Sequence, residues 1–255
     1  ERMSYTADVG NGLAVLMLND DGNGRSFCGY GEGQLEWIRG QVQELTAEGK
    51  TVIAVTHHPV IPPTPVYPLI SKRDMLGDYE NTSRFLADLG IEFVLTGHTH
   101  MQSIRSITTE KGNTLYDINT GTLTSFPTAI RRMVLDDNAL DVKTLVPENA
   151  KLDTGGKGIY TYFADKFDST LYSAVDAMRR DTDALASILN AVSIGKDTVM
   201  RLRVPFKILG TVLDTITLGG VGRLTFISGS VDKSIKKTKL KDFAASVFRN
   251  IWGGD

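Results

Sequence analysis

The sequence predicts an α/β (α+β) domain followed by a helical C-terminal domain. Three observations carry this. Apolar runs alternate with helical periods between residues 13 and 96, short alternating segments with turn signals fill residues 103–145, and from Tyr162 onward the apolar spacing is helical. A chain of 255 residues, 41% hydrophobic and 23% charged, is long and apolar enough for one large domain or two ordinary ones, which excludes a disordered polypeptide.

The first elements follow from local pattern. Residues Leu13 to Leu18 are a continuous apolar run ending in Asn19-Asp20-Asp21-Gly22, a buried strand and its turn, with a loop continuing through Gly33. Gln34 to Glu48 sets Leu35, Ile38, Val42 and Leu45 at helical spacing and stops at Gly49. Thr51 to Thr56 is a second buried strand. Five prolines between Pro59 and Pro68 exclude helix and central strand, so a long surface loop, well placed to border an active site, follows His57-His58. Asn81 to Leu89 is a second helix closed by Gly90, and Ile91 to Thr96 a strand that stops at Gly97-His98-Thr99-His100. Strand, helix, strand, helix, strand implies parallel pairing.

The texture then changes. Ser103 to Thr108, a turn at Lys111-Gly112-Asn113 and Thr114 to Asn119 form one antiparallel hairpin; Ile130 to Asp136, a turn at Asp137-Asn138 and Leu140 to Leu145 form another. Near Pro147 the strands end. Tyr162, Phe163, Phe167, Leu171, Val175 and Met178 open a helical period, and further helices are expected at Thr182 to Val192, Lys196 to Leu213 and Lys239 to Trp252, with Pro205 kinking or ending one. The predicted domains are therefore 1–147 and a helical appendage, 148–255. Charge shifts at the same place: 12 basic and 18 acidic residues before, 16 and 12 after. The cluster Lys233, Lys236, Lys237, Lys239 and Lys241 reads as a solvated helix face.

Composition narrows the function. With Lys+Arg 28 against Asp+Glu 30 the chain has no cationic surplus, and no nucleic-acid or membrane partner is indicated. The single cysteine, Cys28, excludes an internal disulfide and a Cys-only zinc site and leaves the compartment undecided. No apolar run approaches the roughly 20 residues of a membrane helix; the best, Ile208 to Leu218, is broken by Gly210 and Asp214. A soluble chain is expected, its localisation open, since export would depend on a signal outside it.

The four histidines are clustered. His57-His58 and His98-Thr99-His100 each follow a buried strand, at the sheet edge where open α/β sheets bind ligands. Extended chain would put His98 and His100 on one side, with Gly97 allowing close backbone approach. Neutral imidazoles suit a borderline metal such as zinc, but a hydrolytic pair of ions also needs carboxylates. No carboxylate motif adjoins the histidines, and Asp20 and Asp21 read as turn or cap residues.

Val55-Thr56-His57-His58-Pro59 and Leu95-Thr96-Gly97-His98-Thr99-His100 resemble the last two signature blocks of the calcineurin-like metallophosphoesterases. The helix at Gln34-Leu35-Glu36-Trp37-Ile38 and the strand end Asn119-Thr120-Gly121-Thr122-Leu123 extend the resemblance over about residues 1–147. It implies that this region is the C-terminal part of a two-sheet metallophosphoesterase sandwich, the C-terminal half of a catalytic domain. It also implies two divalent ions (Mn, Fe or Zn) and a metal-bound hydroxide attacking a phosphomonoester or phosphodiester. Carried over by residue, His57 and His98 would hold one ion and His100 the other, with His58 just outside the ligands or at the substrate rim.

None of the family's earlier blocks, Asp-x-His, Gly-Asp and Gly-Asn-His, precedes His57. With no methionine at position 1, the expectation is a processed or partial polypeptide whose catalytic residues lie upstream of Glu1. Such a chain alone would be inactive and hold fewer metal ions or none, its partners being the missing N-terminal half and a phosphate-ester substrate. The alternative is a non-catalytic metal-binding or protein-interaction module derived from that fold. A blander reading makes the histidines structural and the appendage the partner-binding part.

Overall fold

A computed structural model of the chain describes residues 3–21, 28–65, 67–68, 72–136, 139–148, 151–190, 194–224 (backbone alone at 222–224), 233 and 235–254. The chain divides into two compact units, Glu1–Asp153 with Ile251–Asp255, and Thr154–Asn250.

The first unit is a mixed α/β layer structure. Strands β1 (Tyr5–Gly10), β2 (Leu13–Met17), β3 (Thr51–Val55), β4 (Phe93–Thr96), β5 (Ser103–Thr108) and β6 (Thr114–Asn119) form one sheet in the order β1-β2-β3-β4-β6-β5. The four inner strands β2, β3, β4 and β6 run parallel, and β1 and β5 close the edges antiparallel. Parallel strands need crossovers. Helices α1 (Glu32–Ala47) and α2 (Tyr79–Asp88) supply two of them, from β2 to β3 and from β3 to β4. Strands β7 (Ile130–Leu135) and β8 (Leu140–Leu145) pair as a separate antiparallel sheet. This is the mixed fold class that the residue pattern predicts. The expected turn at Asp137-Asn138 lies outside the described residues.

The core explains the element pattern. Strand β3 buries Val52, Ile53 and Ala54 in succession, as a strand covered on both faces must. Helix α1 turns Ile38, Val42 and Leu45 inward, where they join Ala14, Leu16, Ala54 and Val94 in one cluster. Gln34, not Leu35, completes the buried face of α1, because its Nε2 donates to Asn19 O (2.8 Å) and Ser4 Oγ (3.0 Å).

Two local expectations change. Strand β1 has no counterpart in the apolar pattern, yet Asn11 and Gly12 take φ +52° and +72° and make the two-residue hairpin that joins it to β2. The proline-rich segment begins buried, not on the surface: Val60 and Ile61 are core residues, and their N–H groups donate to Asp117 Oδ2 at 2.8 and 2.9 Å. An acceptor on distant β6 thus satisfies backbone that prolines bar from a ladder.

The second unit is helical: α3 (Ile159–Arg180), α4 (Thr182–Asn190), α5 (Lys196–Arg201), α6 (Arg203–Thr215), α7 (Leu218–Leu224) and α8 (Leu240–Gly253), whose last turn is counted with the first unit. Residues 191–192 of one predicted helix lie outside the described residues. Ala177, Leu185, Ala186 and Val199 form its core. The predicted long helix from Lys196 breaks at Leu202, because Pro205 has no N–H to donate to Arg201 and sits instead in the first turn of α6. Helix α6 lies close on α3 at Gly210, where a Cβ would come within 2.7 Å of Met178 Cβ.

Candidate metal centre

The C-terminal ends of β2, β3, β4 and β6 lie side by side along one edge of the sheet, so the residues that follow each strand converge there. They are Asn19-Asp20 after β2, Thr56-His57-His58 after β3, Gly97-His98-Thr99-His100 after β4, and Thr120-Gly121 after β6. Backbone bonds tie neighbouring ends together: Thr56 N donates to Leu95 O (3.1 Å), Gly97 N to His57 O (3.0 Å) and Thr120 N to Thr96 O (2.9 Å).

Asp20 organises the first histidine block. It is 4% exposed, and its Oδ2 accepts from Thr56 Oγ1 (2.8 Å), His57 N (3.1 Å) and His58 N (2.7 Å). Behind it the buried Tyr30 hydroxyl donates to Thr56 Oγ1 at 2.7 Å. Burial alone would raise the Asp20 carboxyl, but the His58 imidazole, the His58 N–H and the Thr56 hydroxyl outweigh it and hold the group below the usual carboxylate range. Asp20 therefore caps the backbone of the block, 3.2 Å from His58 Nδ1 in an ion pair that lacks hydrogen-bond alignment. Burial pulls the His58 imidazole down, whereas the Asp20 carboxylate and the Cys28 thiol raise it further, to about 9.

Asn119 organises the second block. Its Nδ2 donates to Gly97 O (2.8 Å) and Thr96 Oγ1 (3.0 Å), and its Oδ1 accepts from Thr99 Oγ1 (2.9 Å). Here the chain is not extended. His98 and His100 have φ of +61° and +57°, a left-handed backbone that side chains other than glycine seldom take. The alternation expected of an extended chain thus does not operate. Buried Thr99 points to Asn119, His98 turns toward His57, and His100 is exposed. Nor is Gly97 the tight spot, since a Cβ there would meet nothing closer than 3.8 Å. Close approach falls at Gly121, where a Cβ would lie 3.1 Å from His100 O and Pro127 Cδ.

The structure gathers His57, His58 and His98 so that one ring nitrogen from each lies within 4.8 Å of the others; His100 is not in this group. His57 Nε2 and His98 Nδ1 are 2.9 Å apart and share a hydrogen bond. Two nitrogens on one ion at about 2.0–2.1 Å would stand about 2.9–3.4 Å apart, so the pair fits a single divalent cation in place of the shared proton. Burial, followed by repulsion from His58 and His57, lowers His98, which keeps its imidazole in the neutral form that ligates metals.

Carboxylates are the scarcer component. Asp20 Oδ2 is filled by three donors, and Asp74, on a short 3₁₀ turn at Lys72–Asp74, has Oδ1 3.8 Å from His98 Nε2. Among the described residues no carboxylate joins the three imidazoles in one ligand-sized group. The sequence reads Asp20 as a turn or cap residue, and capping is its role here, but it does not link Asp20 to the histidines, gives Asn119 only as a strand end and does not mark Asp74. For Asp20 and Asn119 a signal existed, because both end parallel strands adjacent to those that carry the histidines.

Residues 3–102 match the family described as calcineurin-like phosphoesterase. The match covers both histidine blocks and stops short of β5, β6, the second sheet and the helical unit. No curated protein matches the chain. Among solved structures, a dimetal phosphatase from Danio rerio is similar at 14% identity and a TM-score of 0.41 over 55% of this chain. The chain spans 57% of that protein's chain.

Proposed function

Through residues 3–102 the chain belongs to the calcineurin-like phosphoesterase family, and on that premise we propose that its histidine edge forms part of a site hydrolysing a phosphomonoester or phosphodiester with divalent metal ions. The observation that carries the reading is the pair His57 Nε2 and His98 Nδ1, 2.9 Å apart at the ends of adjacent parallel strands. Divalent ions, when bound, neutralise phosphate charge and acidify coordinated water. Zinc, manganese and iron all suit mixed imidazole and oxygen ligation.

The chain's own residues do the positioning. Asp20 fixes the backbone of His57 and His58, and Asn119 fixes the left-handed turn that aims His98. The reading gives His57 and His98 to one ion and leaves His100 for the other, with His58 at the substrate rim. Because the described cluster offers imidazoles alone, the complete site needs anionic ligands beyond it, and residues 1–255 by themselves should hydrolyse nothing.

The test is metal content and hydrolysis of p-nitrophenyl phosphate and bis-p-nitrophenyl phosphate with Mn²⁺, on this chain and on a longer gene product that carries it. The expected result is metal retention lost in His57→Ala and His98→Ala, with two ions and hydrolysis in the longer protein. A longer protein inert towards both esters would sink the enzyme reading. If it still held one ion through His57 and His98, the imidazole-only cluster would instead mark a non-catalytic metal-binding module.

A further inference from the structure

The Gly97-His98-Thr99-His100 turn holds two histidines in left-handed backbone, at φ +61° and +57°. Residues other than glycine keep such angles only where the surrounding structure imposes them. For His98 the surroundings are Asn119, which binds Gly97 on one side of it and Thr99 on the other. The side-chain bonds of Asn119 go to Thr96, Gly97 and Thr99, so the far neighbours of His100, Met101 and Gln102, take their place from something else.

What holds them is the turn Trp252-Gly253-Gly254, part of the segment Ile251–Asp255 that belongs to the first unit together with the histidines. Gln102 N donates to Trp252 O at 2.9 Å, and the Trp252 side chain packs on the buried Tyr67, Met75 and Met101. Gly253 lies against Phe126, where a Cβ would stand 3.5 Å from Cζ. Gly254, at φ +79°, comes so near that a Cβ would fall 2.3 Å from Gln102 O. No side chain fits there, so the contact requires glycine. Tyr67 and Met75 follow β3, Met101 and Gln102 follow β4, and Phe126 follows β6. One short turn thus braces the loops after three of the strands that end at the histidine edge, and Gln102 carries the tie across, its Oε1 accepting from Gly121 N at 2.9 Å.

We propose that Trp252 and Gly254 are positioning residues for His100: the turn they form fixes Met101 and Gln102, holds His100 in left-handed backbone and so sets where its imidazole can reach a metal ion. The inference rests on the reading above that His100 serves the second ion. Burial of Trp252 by itself would be met by any apolar seat. The backbone bond to Gln102 and the glycine-only contact at Gly254 are instead directed at the one segment that carries His98 and His100. Both residues lie outside residues 3–102, the part of the chain that matches the family.

The experiment is nuclear magnetic resonance of the full chain with isotope label in its four histidines alone. The three-bond HN–Hα coupling and the Cα and Cβ shifts report the backbone φ of each. Wild type should show the left-handed signature at His98 and His100. Trp252→Ala and Gly254→Ala should abolish it at His100 and leave it at His98, which Asn119 holds, whereas Trp252→Phe, which refills the apolar seat, should restore it at His100. If Trp252→Ala unfolds the first unit, as circular dichroism would show, Gly254→Ala carries the test, since it removes no buried side chain. In the longer gene product the same two alanine substitutions should lower the retained Mn²⁺ from two ions to one. A left-handed His100 in the folded alanine variants would overturn the proposal, and so would retention of both ions. A longer protein that binds no ion before substitution would sink the metal reading instead, and the φ of His100 would still decide whether Trp252 and Gly254 set it.

Discussion

Asp20 shows how much of the site depends on one buried oxygen. Its Oδ2 receives the Thr56 hydroxyl and the His57 and His58 N–H groups, so Asp20→Ala would leave three donors without their acceptor. The expected cost is about 2–4 kcal/mol, against about 1–2 for Asp20→Asn, which keeps an acceptor oxygen. Urea midpoints of the metal-free chain measure both. Equal midpoints for wild type and Asp20→Ala would mean that water replaces the carboxylate without loss. The histidines were legible in the sequence because each block abuts an apolar run. Their grouping was not, since it depends on left-handed φ values at His98 and His100 that Gly-His-Thr-His does not announce. Asp20 was hidden differently: its partners lie 36 to 38 positions away, and only the adjacency of β2 and β3 brings them together.

At the scale of elements, apolar runs located β2, β3 and β4 and helical spacing located α1 and α2, because burial of those faces is what orders them. Strand β1 is mostly exposed and carries no such pattern; Asn11-Gly12 was its one readable sign. The proline-rich loop was misjudged because the group that buries it sits on β6. That group, Asp117, is 1% exposed, and burial pushes its carboxyl up to about 6 against the opposing pull of Thr96, Ile61 and Val60. A carboxyl raised in the folded state binds more protons there than in the unfolded chain between its two pKa values. Its stabilising contribution is complete below about pH 4 and is lost as the pH rises to about 6, a change of about 3 kcal/mol. Asp117→Asn, uncharged throughout, removes this slope. The stability difference, wild type minus variant, should therefore grow as the pH is lowered from 6 to 4 in denaturant titrations, and a pH-independent difference would refute the assignment.

At the scale of the whole molecule, each unit carries its own core: Leu16, Ile38, Ala54 and Val94 among others in the first, and Ala177, Leu185, Ala186 and Val199 in the second. The histidine group lies wholly in the first unit. A ligand that binds only a folded state stabilises that state by mass action, about 2.7 kcal/mol when its concentration is a hundredfold above Kd, and so slows exchange of amides that open with that unit by up to roughly a hundredfold. Zinc bound at His57 and His98 should thus slow hydrogen exchange in β3, β4 and β6, most of all at Gly97 N and Thr56 N, whose bonds tie the strand ends together. Amides of α3 and α6 exchange through a different core and should keep their metal-free rates. His98→Ala should abolish the zinc effect in the first unit while leaving the second unchanged, which separates loss of the site from loss of the fold. Equal slowing in both units would mean that they open as one cooperative body, and no slowing in either would mean that the imidazole group does not hold the ion.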